Sequence, residues 1–175
     1  MNRLFKREPL TADEANRLAN ACNCHEERLV IWTLIDTGLR VGELTSLKRN
    51  NIDWQAHRII VYGKGGPYGK KSKRRVVPMS DRVRPLIEGH FSLHETFGMT
   101  VRTIQRLVKR VANRAHIARE VTPHVLRHSM ATFALQKGIS LHTLQKILGH
   151  GHLTTTAIYL NISPEEAIRE YEQKW

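Results

Sequence analysis

Residues 121–160 read VTPHVLRHSMATFALQKGISLHTLQKILGHGHLTTTAIYL. Thr122 and Pro123 supply an N-cap and a first helical position, and Leu126, Met130, Phe133 and Ala134 follow at the spacing of one helical face. Gly138 ends that helix. Ser140 starts a second, in which Leu141, Leu144 and Leu148 point inward before Gly149 stops it, and a short helix over TTTAIYL carries Tyr159. His124 and Arg127, three residues apart, share a face near a helix N-terminus that favours anions, and the apolar pattern turns both outward. His150 follows Gly149, and Tyr159 lies nine residues beyond it. Cationic donors beside an exposed phenol suggest phosphate chemistry. Each alone has a plainer reading: Tyr159 as a packed aromatic, His124 with Arg127 as an ordinary phosphate contact, and His150-Gly151-His152 as a loop or a weak metal site.

Working outward, the 175 residues fit one domain and can bury a sizeable core. Twenty-eight Lys and Arg against sixteen Asp and Glu give a net charge of +12, which points to a polyanionic partner, nucleic acid being the commonest. No stretch has the apolar length of a spanning helix and the start MNRLFKREPL lacks a signal-peptide core, so a cytoplasmic protein with no membrane association is expected. The only cysteines, Cys22 and Cys24, are too few and too close for a disulfide framework and are read as reduced thiols on one helix. No carboxylate or cysteine stands at ligand spacing beside the late histidines, so no metal is expected.

From the N-terminus, Thr11 and Glu14 make a capping box for a helix over residues 12–22. EERLVIWTLIDTG is apolar nearly all round, as a helix covered on every side must be, and Gly38 is placed to end it in a left-handed turn. Arg40 leads a short helix, VGELTSL. The period then changes to short β-type runs, IDW, RIIVYG and RRVVPM, which predict three antiparallel strands joined by the basic connection GKGGPYGKKSK. Ser80 is placed to cap the next helix. After Thr100 an apolar stripe of Val101, Ile104, Leu107, Val108 and Val111 opposes a basic face of Arg102, Arg106, Lys109, Arg110 and Arg114. A solvated surface explains one such face, and companion basic elements raise its weight as a DNA contact. The fold class expected is α+β, mainly α, with a small three-stranded sheet on one edge.

TGLRVGEL, VYGKGG before a basic strand, TPHVLRHSMAT and ILGHGHLTTTAIY, in that order, resemble the catalytic domain of the tyrosine recombinases, the phage-integrase and Xer-like family. The resemblance covers about residues 9–165. It implies an active site of Arg40, Lys64, His124, Arg127 and His150 with Tyr159 as nucleophile, and Glu43 as the acid supporting Arg40. It also implies a 3′-phosphotyrosyl intermediate in DNA, needing neither metal nor other cofactor. Lys64 is chosen over Lys70, Lys71 and Lys73, which share its hairpin, because it directly follows the VYG strand; the other three join Arg102, Arg106 and Lys109 as candidate DNA contacts. Val125 stands where the family often has an acid, and the PYGKKSK loop is longer than usual.

The chemistry suits the residue types. A phenol of pKa ~10 attacks an anionic diester only if charge around both is neutralised, and two guanidiniums do this in fixed bidentate geometry. A hairpin lysine can protonate the departing 5′ oxygen, and the 5′-hydroxyl later attacks the phosphotyrosine, so rejoining needs no ATP. The partner expected is double-stranded DNA, bound by a homotetramer of subunits that are monomeric when free. The family's N-terminal helical domain is expected to be absent, residues 1–175 being a single catalytic domain. Two other functions share these features: a non-catalytic DNA-binding module, suggested by the charge, and a type IB topoisomerase-like relaxing enzyme.

Overall fold

The computed structural model describes residues 8–63 and 74–149. The first helix, α1 (Ala12–Asn20), opens with the expected capping box: Thr11 Oγ1 accepts from the Glu14 N–H and Glu14 Oε2 accepts from the Thr11 N–H. It stops two residues earlier than the sequence pattern suggests. Cys22 therefore lies in the connection and Cys24 is the N-cap of α2 (His25–Thr37), so the two thiols do not share a helix; Cys22 is buried and Cys24 exposed.

The helix α2 is the central one. Leu29, Val30, Ile31, Leu34 and Ile35 are buried on its several sides, against α1, α4 (Arg84–Leu93), α5 (Val101–Arg114) and α6 (Pro123–Gln136). It ends at Gly38, φ +62°, where the N–H bonds back to the Leu34 carbonyl at 3.1 Å. The short α3 (Val41–Thr45) follows. Three strands come next, β1 (Ile52–Asp53), β2 (Arg58–Tyr62) and β3 (Arg74–Pro78), antiparallel in the order β1-β2-β3. Ile59 faces Val77 and Val61 faces Arg75 across the β2–β3 ladder, and Ile59, Val61 and Val77 are buried.

Ser80 does not cap α4. Val83 and Arg84 donate their N–H groups to the Ser80 carbonyl in a turn ahead of the helix, and the Ser80 hydroxyl accepts the Val83 N–H at 3.4 Å and donates to Asp36, so it closes that turn and pins it to the end of α2. Thr100 caps α5, whose Ile104, Leu107, Val108, Val111 and Ala112 are buried as the stripe requires. Thr122 caps α6 and Ser140 caps α7 (Leu141–Leu148). One core cluster joins α1 to α6 and the sheet; a smaller one, Met130, Ala131, Ala134, Leu144 and Leu148, glues α7 to α6. Among the described residues no helix is long and apolar enough to cross a membrane.

The basic face of α5 divides in two. Arg102, Arg106 and Lys109 are exposed, but Arg110 and Arg114 turn back onto the buried Glu27. Arg114 Nη1 and Nη2 lie 2.7 and 3.1 Å from its two oxygens, and the Asn23 N–H donates to Oε2 at 2.8 Å. These two arginines hold α5 to α2, Arg114 the more closely, since the Arg110 side chain stays 63% exposed.

Candidate active site

Everything begins at the turn that ends α2. After Gly38 the buried Leu39 anchors the chain and Arg40, extended, becomes the N-cap of α3. Glu43, one turn on, reaches back and accepts the Arg40 N–H at 2.7 Å, while its other oxygen takes the Arg40 Nη1 at 3.0 Å. The Arg40 side chain is thereby fixed at one end yet stays 48% exposed. It is a held cation open to an anionic ligand.

Glu43 is itself held from the other side. Arg75 on β3 donates Nη1 and Nη2 to its two oxygens, each at 2.7 Å, in a bidentate pair, and the Arg75 side chain is only 8% exposed. Burial pushes the Glu43 carboxyl up, but the Arg75 hydrogen bonds, the Arg40 N–H and the two positive charges outweigh it and bring the pKa down to about 2. Glu43 is therefore ionised throughout the neutral range. A third donor of Arg75, Nε, bonds the Ile147 carbonyl at 2.8 Å, at the C-terminal end of α7.

Arg127 reaches the same helix end. The sequence pattern turns it outward with His124; the structure leaves His124 exposed on the first turn of α6 but buries Arg127 to 3%. The cause is tertiary. Nη1 donates to the Gly38 carbonyl and Nη2 to the Leu148 carbonyl at 2.8 Å, so the ends of α2 and α7 close over the guanidinium and meet it with carbonyls that helix termini leave unpaired. Gly149, φ +68°, then ends α7, and His150 is the next residue in the chain.

Arg40, Glu43, Arg127 and the exposed His124 are thus the predicted site residues within the described part of the chain, and hydrogen bonds knit the first three to one another through Gly38, Arg75 and α7. Lys64, Lys70, Lys71, Lys73, His150 and Tyr159 lie outside the described residues. Gly63, the last described residue before the hairpin, continues from Tyr62, which pairs with Arg74, so the hairpin springs from the same strands that carry Arg75. No group of three or more His, Cys, Asp or Glu that could hold a metal occurs among the described residues.

The model of the phage integrase family matches residues 8–166, nearly the whole chain. The chain belongs to the phage integrase family. Among curated proteins, this integrase-family chain is 34% identical over 181 residues to tyrosine recombinase XerA of Thermococcus kodakarensis, covering 94% of the chain and 61% of that relative. It thus spans about three fifths of that relative's length. Among solved structures, the XerA recombinase superposes with a TM-score of 0.81 at 31% identity, covering 95% of the chain and 64% of that structure. The XerH site-specific recombinase, bound to its difH substrate before cleavage, shares the fold at a TM-score of 0.75 and 23% identity, covering 97% of the chain and 55% of that structure.

Within this integrase-family site, sequence reading missed Arg75. A signal was available: in a strand alternate residues share a face, so an arginine two before the inward Val77, opposite the inward Val61, is turned toward the core and needs a buried partner.

Proposed function

We propose that the chain carries the catalytic centre of a site-specific DNA strand transferase, a tyrosine recombinase. The observation that carries this reading is the Arg40 geometry: a guanidinium clamped by Glu43 through its own N–H and Nη1, left half open, and tied through Gly38 to Arg127. A diester phosphate docked on Arg40 and Arg127 has its charge neutralised in fixed geometry.

The Tyr159 oxygen then attacks phosphorus, forming the 3′-phosphotyrosyl bond as the P–O5′ bond breaks. Lys64 supplies the proton that turns the departing oxygen into a 5′-hydroxyl, and His124 and His150 hydrogen-bond the phosphate oxygens or carry a proton. Attack by an incoming 5′-hydroxyl reverses the step and frees the tyrosine, without metal, nucleotide or other cofactor. The partner is double-stranded DNA, with exposed Arg102, Arg106 and Lys109 and the hairpin's Lys70, Lys71 and Lys73 contacting its backbone. Exchange takes place in a homotetramer assembled on DNA from monomers, and residues 1–175 are a single catalytic domain, a reading supported by the core that α1 to α6 share with the sheet.

A nicked suicide duplex tests this. Loss of the short strand beyond the nick prevents religation, so the protein is expected to accumulate as a covalent adduct on the 3′ side, and Tyr159→Phe to abolish it. Adduct formation by the Phe variant removes Tyr159 as nucleophile. DNA binding with no adduct from the unaltered chain favours a non-catalytic module, and relaxation of supercoiled plasmid by a monomer favours a topoisomerase.

A further inference from the structure

We propose that Arg75 is a positioning residue of the strand-transfer site, orienting Arg40 through the shared Glu43 carboxylate while tying that carboxylate to the end of α7. The inference rests on the strand-transfer reading and extends it to a residue that would touch neither the DNA nor the tyrosine.

Among the described residues, Arg40 and Arg75 together hold the Glu43 carboxylate at its angle. The Glu43 backbone sits in a helix of five residues, too short to be stiff alone, and its carboxylate is planar with two oxygens, each of which bonds both arginines. Arg40 takes one donor from the side chain and one from the main chain; Arg75 takes the opposite edge with two parallel N–H···O bonds. Rotating the carboxylate to suit a different Arg40 rotamer would break the bidentate pair, so the orientation of Arg40 is set from β3. Arg75 cannot follow such a rotation, because its Nε is spent on the Ile147 carbonyl and its Cδ lies against Gly149.

The same residue therefore links three pieces that the chain brings from far apart: Glu43, which holds Arg40, on α3, Ile147 near the end of α7, and Arg75 itself on β3. A lysine in place of Arg75 would keep the charge but lacks the fork that makes both the carboxylate pair and the carbonyl bond.

The test is a double-mutant cycle on single-turnover cleavage of the nicked suicide duplex at saturating DNA, using the full chain. Arg75→Met is expected to slow cleavage about 10–100-fold, the range expected when a catalytic group is displaced by a fraction of an ångström to about one, with the half-saturating DNA concentration unchanged. Glu43→Gln is expected to give a similar loss. Because Arg75 acts through Glu43, the double variant should cleave no slower than the worse single one. Should Arg75→Met fail to give a cooperative thermal melt, two further proteins carry the test. Arg75→Lys should fold and still cleave slowly. Glu43→Leu with Arg75→Met replaces the buried ion pair by apolar side chains, a change proteins often tolerate, and should be folded but slow. Folded Arg75 variants that cleave at the unaltered rate, or single losses that multiply in the double variant, overturn the inference and leave the strand-transfer reading standing. No adduct from the unaltered chain overturns both.

Discussion

Gly149→Ala should be costly for a reason separate from its backbone angle. At φ +68° any L-residue with a Cβ pays roughly 1–2 kcal/mol to enter the left-handed region. The new Cβ would also stand 2.7 Å from Arg75 Cδ and 3.2 Å from its Nε and Nη1. A loose side chain would swing away, but this one is pinned at Nε by Ile147 and at both Nη atoms by Glu43. Relief therefore breaks at least one hydrogen bond to a charged group, worth roughly 1.5–3 kcal/mol. The sum is about 2.5–5 kcal/mol, which for a chain of this size lowers Tm by roughly 5–20 °C. The control is Gly98→Ala: its φ is +73°, but nothing lies within 4 Å of the added methyl, so only the backbone term applies. Thermal and urea melts followed by circular dichroism compare the two. If Gly149→Ala melts together with Gly98→Ala, Arg75 is not held as described and the clamp on Glu43 is wrong.

Glu27→Gln should cost about 3 kcal/mol at neutral pH, because the Arg114 hydrogen bonds, against the opposing effect of burial, hold its carboxyl at about 2 compared with the ordinary 4.5. A depressed carboxyl stabilises the fold above its unfolded pKa and loses that effect as pH falls through the folded one. The gap in unfolding free energy between the two proteins is therefore expected to be full at pH 7 and to shrink as pH drops from about 4.5 toward 2; a gap independent of pH would show that Glu27 is not ionised in the fold. Arg102→Ala and Arg106→Ala, exposed on α5, should leave Tm unchanged and each lower the slope of log affinity against log salt by about one unit, measured by fluorescence anisotropy on duplex DNA. An unchanged slope removes α5 from the DNA contact.

Local signals carried the elements. Thr11, Thr100, Thr122 and Ser140 each cap the helix that the sequence assigns them, Gly38 and Gly149 each end one in the left-handed conformation, and the change of period after α3 marks the sheet. These are effects over one turn or one strand, written in adjacent residues. What was not legible is partner choice over long distances. Arg114 and Glu27 are 87 residues apart, and Arg110 and Arg114 look like any other members of a basic face until α2 presents a buried acid to them. Arg127 reads as outward because periodicity counts arginine as polar. Main-chain carbonyls, the groups that bury it, have no letter in the sequence at all. The order of motifs nonetheless singled out Arg40, Glu43 and Arg127, which the fold brings to one joint, because a resemblance transmits a whole arrangement where spacing transmits only a face.

The two arginines proposed to meet the phosphate are balanced by different means, and the difference suits the chemistry. Arg40 is balanced by Glu43, but Arg75 in turn balances Glu43, so this trio keeps a net charge of +1. Arg127 is met by main-chain groups as well: the carbonyls of Gly38 and Leu148, at the C-terminal ends of α2 and α7, bring the negative ends of two helix dipoles to its guanidinium. Each end carries roughly half a charge, enough to bury the cation without cancelling it where an anion approaches. Both helix ends also need their glycines for packing: a Cβ on Gly38 would meet Leu148 Cδ2 at 2.8 Å, and one on Gly149 would meet Arg75. The turn that sets Arg40 and the end of α7 are therefore one packed joint, with Arg127 bonded to both sides of it and Arg75 holding its far edge, so the spacing between Arg40 and Arg127 is fixed by the fold before any DNA arrives.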